Sequence, residues 1–225
     1  LFAKWTANTY QVKYNGNGAT AGMTLNSTHV CDTENKLTRN GFSRTSAVFA
    51  GWSTSPSDTI VLFDNDENSG STSEGEDGII REYFIDGPFN SGDIYQLDVD
   101  VKGTGRLTNT FAGLDNCKVI SLTESSVTGE KNTTPTGYNK IPLTETYTHY
   151  TVRFTIGDSG NSNVRKTLVF KAEESGCTAS IKNVRLFKVS ASSTAYTDQQ
   201  KVKNLTTTTD TVNLYAIWAT GTVYL

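Results

Sequence analysis

The sequence predicts an all-β protein in which a jelly-roll β-sandwich is inserted into a small β-rich unit of β-grasp-like build. Three observations carry this. Where the chain patterns at all, apolar and polar residues alternate with a period of two, the mark of half-buried antiparallel strands. No useful length of sequence shows the spacing of an amphipathic helix. The short strand L-[FY]-A-x-W occurs twice, as Leu1-Phe2-Ala3-Lys4-Trp5 and as Leu214-Tyr215-Ala216-Ile217-Trp218, so both extremities of the chain belong to one kind of structure.

Taken in order, Tyr10-Gln11-Val12-Lys13-Tyr14 is an alternating strand that runs into the turn residues Asn15-Gly16-Asn17-Gly18. A second strand lies in Phe49 to Thr54. The segment from Ser57 to Ser193 reads as a self-contained domain. Ile79 to Ile85 is its early strand. Next, Ile94, Gln96, Asp98 and Asp100 share one face while Tyr95, Leu97, Val99 and Val101 share the other. Tyr150, Val152, Phe154 and Ile156 oppose Thr151, Arg153 and Thr155 in the same way. Thr167 to Lys171 and Ile181 to Val189 add two more strands, with Gly/Ser/Asn/Asp-rich turns between. Loop tips accept such insertions when the termini of the guest lie close together. The expected layout is therefore 1–56 plus 194–225 for the outer unit, with 1–8 as the tail of a preceding repeat, and 57–193 for the insert.

Composition excludes several function classes. The chain has 225 residues, 20 Lys plus Arg against 23 Asp plus Glu, and no basic run interleaved with aromatics, so a nucleic-acid footprint is missing. No apolar stretch reaches the length of a membrane-spanning helix. Three cysteines do not make a disulfide framework or a CxxC zinc site, though the count permits one Cys117–Cys177 bridge. The two histidines, His29 and His149, are too few for a His-rich metal or acid–base centre.

The outer segments resemble the Listeria–Bacteroides repeat, the internalin-type B-repeat of bacterial surface proteins. That pattern runs Y-x-V-x-Y-x-x-N-G, then L-x-x-N-x-F-x-x-x-x-x-F-x-G-W, a short turn, Y-x-x-x-x-x-V-x-N-L and L-Y-A-x-W. This sequence supplies Leu37, Asn40, Phe42, Phe49, Gly51 and Trp52, then Tyr196, Val202, Asn204, Leu205 and Leu214 to Trp218. The departure is the turn, which here holds the whole insert. The insert is similar to the jelly-roll carbohydrate-binding modules of bacterial glycoside hydrolases. The resemblance rests on Tyr95-Gln96-Leu97 with Val101-Lys102-Gly103, on Tyr147 to Thr155, and on Ile181-Lys182-Asn183-Val184-Arg185-Leu186. Tyr147 stands where those modules carry Trp, and Lys182 where many carry an Asp that ligates structural calcium.

Binding a sugar takes flat rings that stack on the C–H face of a pyranose, and amides, carboxylates or cations that bond its hydroxyls. Trp5, Trp52 and Trp218 all fall in the outer unit at strand positions and read as core. The insert is left with Tyr138 in the turn-rich Pro135 to Lys140 and Phe111 in Asn109 to Gly113, with Asn139, Lys140 and Asn109 as polar neighbours. Arg81, Gln96, Asp98 and Arg153 project from strands on faces that are either concave binding surface or plain solvent. Asp64, Asp66 and Asn68 open like a calcium loop, but the glycine comes one place late and Gly75 holds the place of the bidentate glutamate, so a solvated acidic loop is the better reading. No cofactor is required, with structural calcium kept as the alternative for this loop.

Catalytic readings fail on spacing. Gly157-Asp158-Ser159-Gly160 echoes a serine-protease nucleophile segment, yet His29 lies in the outer unit and Ser159 in the insert. Glu124, Glu130, Glu145, Glu173 and Glu174 have no spacing that selects two of them. The two resemblances together imply a non-catalytic polysaccharide-binding segment of a bacterial secreted or surface-attached protein, monomeric within a multidomain chain. Starch-type α-glucan is the first expected ligand and β-glucan or xylan the second. The rival expectation is a structural or adhesive spacer that binds only protein.

Overall fold

The computed structural model describes residues 2, 6–72, 78–85, 89–90, 92–112, 118–124, 139–155, 166–173 and 175–220; for 109–112, 118–124, 139–140 and 166 this is the backbone alone. The chain forms two compact units, one built from 1–59 and 192–222 and the other from 60–191. Every regular element among the described residues is a strand.

The outer unit begins with β1 (Thr9–Asn15), β2 (Ala21–Gly22), β3 (Ser27–Val30), β4 (Asn35–Lys36), β5 (Phe42–Ser43) and β6 (Val48–Ser53). After the insert, which holds β7 to β16, it resumes with β17 (Ala195–Tyr196), β18 (Lys201–Val202) and β19 (Thr211–Ala219). Its five-stranded sheet has the order β17-β6-β19-β1-β3. The period-two pattern of β1 buries Tyr10, Val12 and Tyr14, and β19 buries Leu214 and Ala216 beside them. β1 and β19 pair in parallel, so residues from the two ends of the sequence share one core. Trp52 is wholly buried there, with Tyr14 and Phe49 ring centroids at 4.9 and 4.8 Å. Trp218 packs on the other side of Phe49 at 5.8 Å and donates its indole N–H to the Gly16 carbonyl at 2.9 Å. Trp5 lies outside the described residues.

The places where the chain leaves and rejoins this unit lie side by side. The Thr54 amide donates to the Thr194 carbonyl at 3.1 Å, and the Thr194 amide to the Thr54 hydroxyl at 3.0 Å. Below them, buried Asp58 accepts from both Ser53 Oγ and Ser193 Oγ at 2.6 Å. One carboxylate thus clamps the departing and returning segments. Asp58→Ala removes the acceptor of two buried hydroxyls and is expected to cost about 2 kcal/mol, read as a drop in urea midpoint, with Asp58→Asn recovering part of it. An unchanged midpoint would dismiss the clamp.

The inserted unit contains β7 (Thr59–Asp64), β8 (Asn68–Ser71), β9 (Ile79–Ile85), β10 (Ile94–Thr104) and β11 (Arg106–Ala112). It continues with β12 (Lys118–Glu124), β13 (Asn139–Pro142), β14 (Thr148–Thr155), β15 (Lys166–Ala172) and β16 (Thr178–Val189). One sheet has the order β12-β14-β10-β16-β7, with β8 also on β16; the other is β13-β11-β15-β9. From β10 to β16 each strand lies in the sheet opposite its predecessor, which is the jelly-roll way of wrapping two sheets about one core. Leu97, Val99, Val101, Val152, Phe154, Ile181 and Leu186 from the first sheet meet Tyr83, Leu107, Ile141, Leu168 and Phe170 from the second. Gly103 permits the close approach at the end of this sheet. Its φ is 146°, and a Cβ there would lie 1.8 Å from the Thr178 carbonyl oxygen.

Buried Cys177 directs its thiol at the Arg106 carbonyl at 3.6 Å, and Cys31 is a buried thiol in the outer unit. Cys117 lies outside the described residues. Two local expectations are revised. Asn109 to Ala112 is not a loop but belongs to β11, and Asn139 and Lys140 begin a strand rather than end a turn. Thr/Phe/Ala between Asn and Gly suits an extended ladder as well as a turn, and the partners β13 and β15 decide it.

Candidate functional site

The site is assembled on the face of the six-stranded sheet that points away from the core. Alternation puts Gln96, Asp98, Asp100 and Lys102 of β10 on this face, because their neighbours Tyr95, Leu97, Val99 and Val101 enter the core. Register then places Arg153, Thr151 and His149 of β14 beside Gln96, Asp98 and Asp100. On the other flank stand Phe187 and Arg185 of β16. Between Asp98 and Asp100 the pairing with β16 slips by one residue; Asn183 there takes φ 54° and carries its amide to Asp100.

The rows interlock. Asp98 Oδ1 accepts from Thr151 Oγ1 at 2.8 Å and from Gln96 Nε2 at 3.1 Å. Asp100 lies 2.7 Å from His149 Nδ1 and accepts from Asn183 Nδ2 at 2.6 Å. Arg185 donates to Asn65 Oδ1 at 3.0 Å and covers the Phe63 ring; Arg153 donates to the Ser190 carbonyl at 3.3 Å. At the far end Lys102 and Lys182 hold their ammonium groups 4.5 and 3.8 Å from the Tyr147 ring centre, and Lys102 also meets Glu67 at 3.7 Å. Ser69 and Ser180 share a hydroxyl hydrogen bond at 2.7 Å. Lys102, Ser69 and Ser180 are in turn walls of an open cleft of about 290 Å³ that Glu145 and Thr178 also line.

Electrostatics sort these groups. Burial raises the Asp98 carboxyl above its ordinary value, against the hydrogen bonds and His149 charge that pull the other way. Burial acts upward on Asp100 too, but His149 and Asn183 outweigh it and the carboxyl is held below its usual range. For His149, burial alone would lower the imidazole; Asp100 and Asp98 overcome it and raise it. When His149 is protonated, it and Asp100 form an ion pair set into a polar layer.

The residues expected at one ligand site divide between two sheets. Arg153 is on this strip. Gln96 and Asp98 are on it as well, but both are 0% exposed, so they lie beneath the surface and not on an open one. Both lie on the central strand, flanked by β14 and β16. Arg81 belongs to β9 of the other sheet, where it is exposed and lies over Tyr83 at 5.2 Å. Asn109 and Phe111 of β11, with Asn139 and Lys140 of β13, run in that second sheet too. Tyr138 lies outside the described residues.

The acidic loop closes on itself. Asp64 is buried and accepts from the Asp66 amide at 2.8 Å, while Asn68 turns its amide donor toward Asp64 and the Tyr83 hydroxyl at 3.5 and 3.4 Å. Among the described residues no three His, Cys, Asp or Glu side chains converge on one point. Asp64, Asp66 and Asn68 therefore form an Asx turn leading into β8.

Missed in the sequence were Asp100, His149, Thr151, Asn183 and Arg185. The signal for three of them was present: Asp100 shares the parity of Gln96 and Asp98, as His149 and Thr151 share that of Arg153.

No protein-family model and no curated protein matches the chain. Among solved structures it is similar to a CBM4 structure, with 12% identity and a TM-score of 0.37 over 59% of this chain and 78% of that one. It is also similar to the CBM22-1–GH10 modules of Clostridium thermocellum endo-1,4-β-D-xylanase 10B complexed with xylohexaose, with 18% identity and a TM-score of 0.30 over 68% of this chain and 28% of that one. Both likenesses are distant, and neither protein's ligand is carried over to this chain.

Proposed function

We propose that this chain is a non-catalytic polysaccharide-binding segment of an extracellular bacterial protein, with the strip from Arg153 to Tyr147 as its binding face and α-glucan as its ligand. One observation carries the reading: a strand face that were simply solvated would not bury Gln96 and Asp98 completely while Thr151, Arg153, His149 and Arg185 stand beside them on β14 and β16. Burying an ionisable group is costly, and chains retain such groups where orientation of the layer above matters. Hydroxyls, amides and cations fixed in register suit a ligand that is itself a row of hydroxyls. Tyr147 supplies the ring. Its lysine neighbours are on flexible stems, so a pyranose can displace one at small cost. With Phe187 buried, Tyr147 is the ring this strip offers, which suits a compact α-glucan turn better than a straight β-linked chain that calls for a longer aromatic platform.

Native gels containing amylopectin, xylan, mixed-linkage β-glucan or no glycan test this. Amylopectin is expected to retard the protein, and Tyr147→Ala to weaken it about tenfold or more, as removal of one stacking ring costs roughly 1–3 kcal/mol. Retardation by xylan or β-glucan alone would keep polysaccharide binding and discard α-glucan. Retardation by none would leave the spacer reading, and release of reducing sugar from any of them would make the protein an enzyme.

A further inference from the structure

The chain has two histidines, and each unit holds one of them in opposite surroundings. His29 lies on β3, the edge strand of the outer sheet, and is 2% exposed. Its Nε2 is 3.0 Å from Ser27 Oγ, which is 3.1 Å from the Tyr14 hydroxyl, itself an acceptor for the Thr38 amide at 2.8 Å. Its Nδ1 is buried and has no partner among the described residues. The doubly protonated ring carries an N–H on both nitrogens, and at Nδ1 no acceptor waits among the described residues. The titratable groups around it are Tyr10 and Tyr14 from β1 and Cys31 just past the end of its own strand; Tyr10 meets the ring edge-on at 5.4 Å. No carboxylate is paired with it among the described residues. His149 in the inserted unit also has one buried nitrogen, Nε2, without a partner among the described residues, but its other nitrogen meets a carboxylate. From β10 it faces Asp98 and Asp100, the latter at 2.7 Å; from β16 it faces Arg185, with Lys182 over the adjoining Tyr147.

We propose that the two units respond to mild acid in opposite senses, the outer unit loosening at its β3 edge while the charged strip of the inserted unit tightens. This rests on the two histidine sites and not on any ligand. Burial lowers the His29 imidazole, so the unfolded strand binds more protons than the folded one, and stability is full above about pH 6.5 and falls as the pH drops below it. His149 is raised, so its contribution is full below about pH 6.5 and is lost as the pH climbs through its folded value. Raised Asp98 acts in the same direction as His149. Acid would thus free the edge of β1 for another strand while the strip stays formed.

Amide hydrogen exchange on the intact chain, expressed as protection factors, reads both units at once. Between pH 7.5 and 5.0 the β3 amides are expected to lose protection by up to about tenfold per pH unit below 6.5, the slope that one proton gives. The β10 and β14 amides are expected to gain protection over the same range. His29→Phe should abolish the first trend and leave the second; His149→Phe should do the converse. Should a variant not fold, the imidazole resonances of the unaltered chain decide the matter. His29 titrating at or above 6.5, His149 at or below it, or β3 protection that is flat with pH would each overturn the proposal.

Discussion

Trp52→Ala should lower the stability of the outer unit by about 3–5 kcal/mol, the largest loss of any single substitution in that unit. The indole is wholly buried and meets Tyr14, Phe42 and Phe49 with ring centroids at 4.9, 6.2 and 4.8 Å. Those rings come from β1, β5 and β6, so the cavity would open where three strands converge, and collapse would require β1 to move against β19. Small units have little surplus to absorb such a loss. Exchange of β6 and β19 amides under increasing urea measures it. Trp52→Phe should cost less than half as much, because it keeps a ring and discards a buried indole N–H that has no acceptor among the described residues. A loss below about 1 kcal/mol for the alanine variant would mean that the aromatic cluster is not what holds this unit.

That Trp52 is core was legible from its place in a strand and the scarcity of other large residues around it. So was the division of β10 into two faces, since Tyr95, Leu97, Val99 and Val101 alternate strictly and all enter the core. What the sequence could not convey is what lies over the second face. Gln96 and Asp98 have the right parity for an open surface, yet both are wholly buried, and the strands beside them are set by a register that depends on chain crossings between sheets. Arg81 makes the same point. Its strand was readable residue for residue, whereas the sheet to which the strand belongs follows from pairing with β15, distant in sequence. Asp64, Asp66 and Asn68 were ambiguous for a chemical reason: oxygens at alternate positions can converge on a cation or on a backbone amide, and Asp64, read as part of a solvated loop, is buried and accepts from the Asp66 amide.

Asp98→Leu should cost the inserted unit roughly 2–4 kcal/mol, and adding Gln96→Leu should return most of it without returning ligand binding. The single change removes the acceptor that Gln96 and Thr151 share and leaves their polar groups facing an apolar side chain in a buried layer. The double change removes the buried amide as well and makes that layer apolar. Burial already raises the Asp98 carboxyl, so the native pair carries an electrostatic cost that two leucines do not. Stability alone therefore gives no reason for Asp98 and Gln96 to be there. On the proposed reading their use is to fix Thr151, which donates to Asp98, at a defined position on the strip. Urea unfolding and native gels with amylopectin, run on the same two variants, separate the possibilities. Recovery of stability with binding still lost by tenfold or more supports the layer as a positioning device. Recovery of both would make the buried pair incidental, and the face assigned to the glycan would have to move elsewhere on the unit.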